Sequence, residues 1–385
     1  MEENAKEAAA LAMTSFALDL YAGLAGEESA KKNENILFAP ASVFAALMMA
    51  WFGADGDTDA EIQRALHISD DADELLALLA AVASQGDETP GCELSIASAL
   101  WAHEGYPIYP QYVRVLEERL RAAAVSINFE RADEAREAIN AWVEEKTRHT
   151  IRGLLRPGAL PKAVRLLLVN AVYFKGAWQA PFKKEETRDQ PFYRLNKPPV
   201  RVPLMRRCGP RRVVDDARES FRALVIPYVG YSIEMVILLP REAGGLPHLE
   251  RQLNAELLRD LLKRFRSAPT SEIEVFLPRF HFDATSELTG ALKSLGITRA
   301  FEPDLADFSG ITPDPEGLVL SAVLHKARIS VDEEGTVAAA ATALLMVPGS
   351  VGPPPTFRAD HPFLFLIHDT ISGSVLFLGR LLDPS

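Results

Sequence analysis

Residues 333–356 read EEGTVAAAATALLMVPGSVGPPPT. The stretch opens on two acids and a glycine, then runs through small residues with Thr336, Ala338, Ala340 and Thr342 at alternate positions. It closes on Pro348, Gly349, Gly352 and three prolines at 353–355, which suit an exposed extended segment. Two readings are open. One is a buried alanine helix over 333–346 with acids in its first turn. Against it, Gly335 and Thr336 break the helix start, and the segment ends in turn residues without a cap. The other is a segment that serves as exposed loop or as central strand. Small residues at alternate positions would let it slide between existing strands without clashing, which requires a bistable sheet.

The flanks favour strands. Between Val323 and Val331 the odd positions are Val, His, Ala, Ile and Val, and the even ones Leu, Lys, Arg and Ser, a strand with one buried face. Residues 363–380 read as a hairpin turning near Ser372 and Gly373. Ile273, Val275 and Leu277 alternate along a further strand, 224–239 form a hairpin around Val229, Gly230 and Tyr231, and 166–175 (LLLVNAVYFK) are β-branched and aromatic. The first third is helical instead. Met13, Phe16, Leu20 and Leu24 recur at three- and four-residue spacing. A second apolar helix covers 42–52 behind Ala39 and Pro40, and Asp70, Asp71, Asp73 and Glu74 lead into a leucine-rich third. Residues 133–149 carry Ile139, Trp142, Val143 and Lys146 along one side. Helices followed by strands, without βαβ alternation, predict an α+β fold with large, mostly antiparallel sheets. No internal repeat and no linker-like break divides the chain, so 1–385 is read as one domain.

Composition narrows the function. The 385 residues carry a net charge of −12, with 48% hydrophobic and 24% charged residues, ordinary values for a globular chain. The 23 glycines and 26 prolines fall short of a low-complexity composition. No basic surplus exists to neutralise phosphates, so nucleic acid is not an expected partner. The longest uninterrupted apolar runs, such as 43–52, are short of the roughly 17–25 residues of a span, so no membrane helix is expected. Cys92 and Cys208 have no metal or redox spacing and are read as two free thiols, which fits a reducing compartment. The chain opens on Glu2 and Glu3 and not on a basic segment with an apolar core, so it is not read as a signal peptide. Localisation is expected to be cytoplasmic for this chain, or secreted if a leader precedes it. Nucleophile-elbow, zinc-protease, P-loop and dinucleotide fingerprints are absent, so no enzyme is expected. Residues 55–59 (DGDTD) resemble a calcium loop, but Ala60 and Leu66 stand where glycine and glutamate are needed. His325 falls on the buried side of its strand and reads as a core histidine. Neither metal nor cofactor is expected.

The same residues carry a resemblance spread over nearly the whole chain. Asn35, Pro40 and Ser42 fit N-x-x-x-S-P-x-S, and Gly53, Ala54, Gly56 and Thr58 fit GAxGxT. Ile139, Asn140, Trp142, Val143 and Thr147 fit INxWVxxxT, and Asn170, Phe174, Lys175, Gly176, Trp178, Phe182, Thr187 and Phe192 follow in order. Then come Pro227 and Tyr228, Leu277 and Pro278, Phe308, Ser309 and Gly310, His325 and Lys326, 333–342, ADHPFLF at 359–365, and Phe377, Gly379 and Arg380. In this pattern the sequence resembles the serpins. Ala39 departs from it, since the family usually has serine there.

The resemblance implies three β-sheets, eight or nine helices and an exposed reactive-centre loop at about 333–356. It implies an irreversible suicide inhibitor of a serine protease, with cysteine proteases as a second target class. The cut loop would insert into the main sheet and trap the acyl-enzyme. Glu333, Glu334, Gly335, Thr336, Val337, Ala338, Ala339, Ala340, Ala341 and Thr342 would form the hinge. The family count of seventeen residues from Glu333 puts the scissile bond at Gly349 and Ser350, and Met346, Val347 and Pro348 would add specificity. A shorter register would put the cut at Val347 or at Met346, and Met346 would admit a chymotrypsin-like enzyme. Glycine offers nothing to a deep pocket, so elastase-like or subtilisin-like targets fit better than trypsin-like ones. Trp178, Arg279 and Glu333 would cluster where insertion starts (the breach), with an ion pair from Glu333 to Arg279. Ser42, Asn170 and His325 would form a hydrogen-bonded group under the sheet centre (the shutter). The segment matching the family's heparin helix, 69–90, carries six acids and no lysine or arginine, so heparin is not expected to bind there. The chain is expected to be a monomer with a risk of polymerisation. The alternative function is a non-inhibitory member acting as chaperone or carrier.

Overall fold

The computed structural model describes residues 2–26, 33–68, 72–88, 91–160, 163–336 and 353–385. Its helices are α1 (Glu2–Ala25), α2 (Pro40–Gly53), α3 (Gly56–Ala65), α4 (Asp73–Glu88), α5 (Pro110–Leu120), α6 (Ala132–Lys146), α7 (Leu246–Gln252), α8 (Ala255–Ser267) and α9 (Thr289–Ser294). Its strands are β1 (Ile36–Phe38), β2 (Cys92–His103), β3 (Ala123–Ile127), β4 (Leu166–Ala177), β5 (Arg188–Phe192), β6 (Val200–Val214), β7 (Phe221–Pro227), β8 (Ile233–Pro240), β9 (Thr270–Pro278), β10 (Phe280–Glu287), β11 (Leu320–Val331), β12 (Gly335–Thr336), β13 (Thr356–Arg358), β14 (Phe363–Asp369) and β15 (Val375–Leu381).

The α+β class stands as the sequence predicts. The strands join in two ladders. One has nine strands in the order β1-β15-β14-β8-β7-β6-β9-β13, with β5 on β6. The other has six, in the order β10-β11-β4-β2-β3, with β12 on β4. Two of the three sheets implied by the resemblance are thus continuous in hydrogen bonding, and the cause is β6. At 15 residues it outlasts any one partner. It pairs with β5 at its start, with β9 along its length and with β7 at its end. Pairing is mostly antiparallel, but β4 with β11, β2 with β3 and β9 with β13 are parallel.

β4 shows why the six-stranded sheet lies inside. All but one of its residues are buried. Leu166, Leu168, Val172 and Phe174 join the larger core with Val43, Leu47 and Phe44 of α2. The alternate residues Leu167, Val169 and Ala171 join a second core with Ile139 and Val143 of α6. A strand whose two faces each bury apolar side chains belongs in the middle of a layered fold.

Three particulars differ from the sequence reading. Lys326, on the even face of β11, is buried because its ammonium reaches Asp283 and the Arg152 carbonyl, both at 3.0 Å. Lys146 is exposed, and Thr147 closes the buried side of α6 by bonding the Val143 carbonyl at 2.7 Å. Residues 5–25 of α1 reach a mean hydropathy of 1.4 over a span-length window, which interrupted runs had hidden. That helix is alanine-rich, and its Met13, Phe16, Leu20 and Leu24 are buried against the protein.

Candidate functional site

Two parallel strands meet at the centre of the six-stranded sheet. β4 and β11 pair directly from Leu166 opposite Leu320 to Tyr173 opposite Arg328. Beyond that they part, and the chain after β11 turns back. The Asp332 amide donates to the Gly335 carbonyl at 2.8 Å, while the Asp332 carboxylate accepts from the amides of Glu334 and Gly335 at 2.9 and 3.2 Å. The returning pair, Gly335 and Thr336, lies antiparallel on Ala177 and Gly176 at the end of β4. Gly335 has φ +141, and a Cβ there would stand 2.1 Å from the Gly176 carbonyl oxygen. Only glycine lets the backbone approach this closely.

An aromatic floor carries this turn. Trp178 stacks on Tyr228 with centroids 4.5 Å apart, and Phe182 meets Trp178 edge-on. The Trp178 indole N–H donates to the Asp332 carbonyl at 3.0 Å, and its amide donates to the Glu334 carbonyl at 3.0 Å. Thr336 is fully buried, with its hydroxyl 2.9 Å from that of Tyr228. Trp178, Arg279 and Glu333 do come together. The buried Glu333 carboxylate accepts from Arg279 at 2.5 Å and from the Thr187 hydroxyl at 2.6 Å. Burial alone would raise its carboxyl pKa. The Thr187 hydroxyl and the Arg279 guanidinium outweigh that and hold it below the ordinary value of 4.5. Glu334 pairs with Lys184 at 2.5 Å on the surface.

Ser42, Asn170 and His325 also converge. His325 faces Asn170 in the register of β11 on β4, and Ser98 of β2 faces Asn170 from the other side. The Ala39 amide donates to Nε2 of His325 at 3.0 Å. Nε2 is therefore the bare nitrogen, and Nδ1 carries the proton that it donates to Oδ1 of Asn170 at 2.6 Å. Nδ2 of Asn170 then donates to the hydroxyls of Ser42 at 2.5 Å and Ser98 at 2.8 Å. Three strands and the start of α2 are tied by one polar chain, whose members Ser42, Asn170 and His325 are at most 3% exposed. Position 39 takes part through its main chain, so the alanine keeps this link.

The far end of the loop is held by the other ladder. β13 pairs with β9, the Phe357 ring is fully buried, and Arg222 lies over it at 5.4 Å while donating to the Thr356 carbonyl at 2.8 Å. Arg358 lies over Phe276 at 4.6 Å and pairs with Asp360 at 2.6 Å. Val337, Ala338, Ala339, Ala340, Ala341, Thr342, Met346, Val347, Pro348, Gly349 and Ser350 lie outside the described residues. Sequence reasoning missed Thr187 and Tyr228 as partners of Glu333 and Thr336, although both stand in matched motifs. Nothing in the sequence pointed to Ser98. Cys92 and Cys208 are free thiols, and burial pushes Cys92 up to about 12, too high for a nucleophile.

A family model described as Serpin (serine protease inhibitor) matches residues 11–384. The leukocyte elastase inhibitor of Bos taurus is 38% identical, over 97% of this chain and 98% of its own. The crystal structure of uncleaved ovalbumin superposes with a TM-score of 0.86 at 32% identity, covering 97% of this chain and 99% of that one. Human thyroxine-binding globulin in complex with its hormone superposes with a TM-score of 0.87 at 27% identity, covering 99% of each chain.

Proposed function

The chain belongs to the serpin family, and on that premise we propose that it is an irreversible suicide-type inhibitor of a serine protease with elastase-like or subtilisin-like specificity. It is not an enzyme. The observation that carries the reading is the hinge pair, Gly335 and Thr336, paired antiparallel on β4 where β4 and β11 have parted. A strand added there would extend antiparallel to both neighbours, and its next residues are small and uncharged. Charge at such a place would cost several kcal/mol.

In this mechanism the protease serine attacks the Gly349 carbonyl. The peptide bond to Ser350 breaks, the amine of Ser350 leaves with a proton, and Gly349 stays esterified to the protease. Residues from Val337 onward then extend β12 while β4 separates from β11. The bond between His325 and Asn170 breaks, and the acyl-enzyme travels about 43 Å, the length of the thirteen strand residues 337–349. Glycine at the cut, with Met346, Val347 and Pro348 before it, suits shallow pockets. The elastase inhibitor among the relatives supports that class. Cysteine proteases are a second class, heparin is not a cofactor through 69–90, and an opened sheet carries a polymerisation risk. The whole chain, 1–385, acts as one domain.

A second reading, carrier or chaperone, is favoured by the likeness to thyroxine-binding globulin. One experiment separates the two. The chain is incubated with elastase-like, subtilisin-like, chymotrypsin-like and cysteine proteases, run on a denaturing gel, and the released C-terminal peptide is sequenced. Inhibition predicts a detergent-stable complex and a peptide beginning at Ser350. Simple cleavage without a complex favours the carrier.

A further inference from the structure

One strand of the nine-stranded ladder buries more positive charge than it pairs. Met205, Arg207, Gly209 and Arg211 of β6 share a face, opposite the buried Leu277, Val275 and Ile273 of β9. Arg211 is 5% exposed. Its Nη1 donates to the Pro210 carbonyl at 2.8 Å, while its Nε and Nη2 are buried without a hydrogen-bond partner. Arg207 is half-buried. Its Nη1 donates to the Pro181 carbonyl at 2.5 Å, and its Nε is likewise buried and unpartnered.

The two guanidinium groups flank a gap. A Cβ built on Gly209 would have Nη1 of Arg211 at 3.9 Å and Nε of Arg207 at 4.0 Å, with no third atom within 4 Å. The nearby acids are taken. Glu274 binds Arg206 at 2.6 Å, Glu272 accepts from the Cys208 thiol, and Glu186 binds Lys183 and Arg206. Burial, and then the like charge of Arg207, depress Arg211 to about 10. An unpaired charge this deep is unfavourable unless a counter-charge reaches it. Guanidinium N–H groups suit the oxygens of a small anion.

We propose that Arg207 and Arg211, across Gly209, form a binding site for a small free oxyanion of the phosphate or sulfate type. The depth of Arg211 admits a free ion and not one carried on a polymer. The site adjoins the loop anchor, because Pro181, which Arg207 holds, precedes Phe182, whose amide donates to the Glu333 carbonyl at 2.8 Å.

The test is thermal unfolding of the full chain in inorganic phosphate and in sodium chloride at equal ionic strength. The expected result is a saturable rise in Tm of a few degrees with phosphate, as for any ligand of the folded state. Arg211→Met should abolish the saturable part and leave only the small linear effect that phosphate has on any protein. Gly209→Glu, which supplies a carboxylate to the gap, should raise Tm in chloride and remove the response to phosphate. Gly209→Glu alone decides the matter if Arg211→Met does not fold. A parent that responds equally to both salts, or a saturable response that survives in the folded variants, overturns the proposal.

Discussion

Thr336 is buried with its hydroxyl against Tyr228, and no charged group lies within its hydrogen bonds. Thr336→Arg should therefore abolish the detergent-stable complex while cleavage continues, because an unpaired guanidinium cannot stay buried there and would force Gly335 and Thr336 off β4, where insertion must start. Gel analysis with the same protease reads both outcomes. Glu333 sets a second expectation. Its folded carboxyl pKa lies below 4.5. Its stabilising contribution is therefore full above that ordinary value and fades as pH falls through the lower folded one. The stability gap between the parent and Glu333→Gln, measured by denaturant titration, should close on acidification. A gap that stays constant from neutral pH to below the folded pKa would remove the ion pair from the account. Glu333→Lys, which sets an ammonium against Arg279, should raise polymerisation on gentle heating, read by native gel.

The side-chain tie across β2, β4 and β11 adds to the backbone ladder in resisting the parting of these strands. Asn170→Ala leaves the His325 N–H and the hydroxyls of Ser42 and Ser98 without their amide partner. Destabilisation of about 2–4 kcal/mol by denaturant titration is expected, since each orphaned buried group costs about 1–3 kcal/mol. Much of the surrounding structure could be read from the sequence. The odd-even alternation of 323–331 gave the buried face of β11, and the 363–380 hairpin turns at Gly373 with φ +75. Lys326 escaped that rule because a pairing partner, Asp283, comes from the next strand and not from its own. Periodicity also says nothing of which strands adjoin, so the parallel contact of β4 with β11, on which the proposed loop entry depends, was not visible. The two-residue β12 is too short for any pattern. Trp178, Arg279 and Glu333 were found by resemblance, whereas Ser98, a serine in an ordinary strand, carried no signal.

As a whole the fold has a sheet joined by direct pairing at one end and opened by a two-residue wedge at the other. Filling that opening would add a full-length strand with its backbone hydrogen bonds on both sides. On the proposed mechanism the native arrangement is held by a kinetic barrier and lies above a more stable inserted form. Thermal unfolding before and after a single cut within 337–352 measures this. If the cut loop enters between β4 and β11, the cleaved chain should melt tens of degrees above the intact one, and Thr336→Arg should lose most of that rise. An equal or lower melting temperature after cleavage would mean that the loop stays outside the sheet, and the trapping mechanism would fail with it.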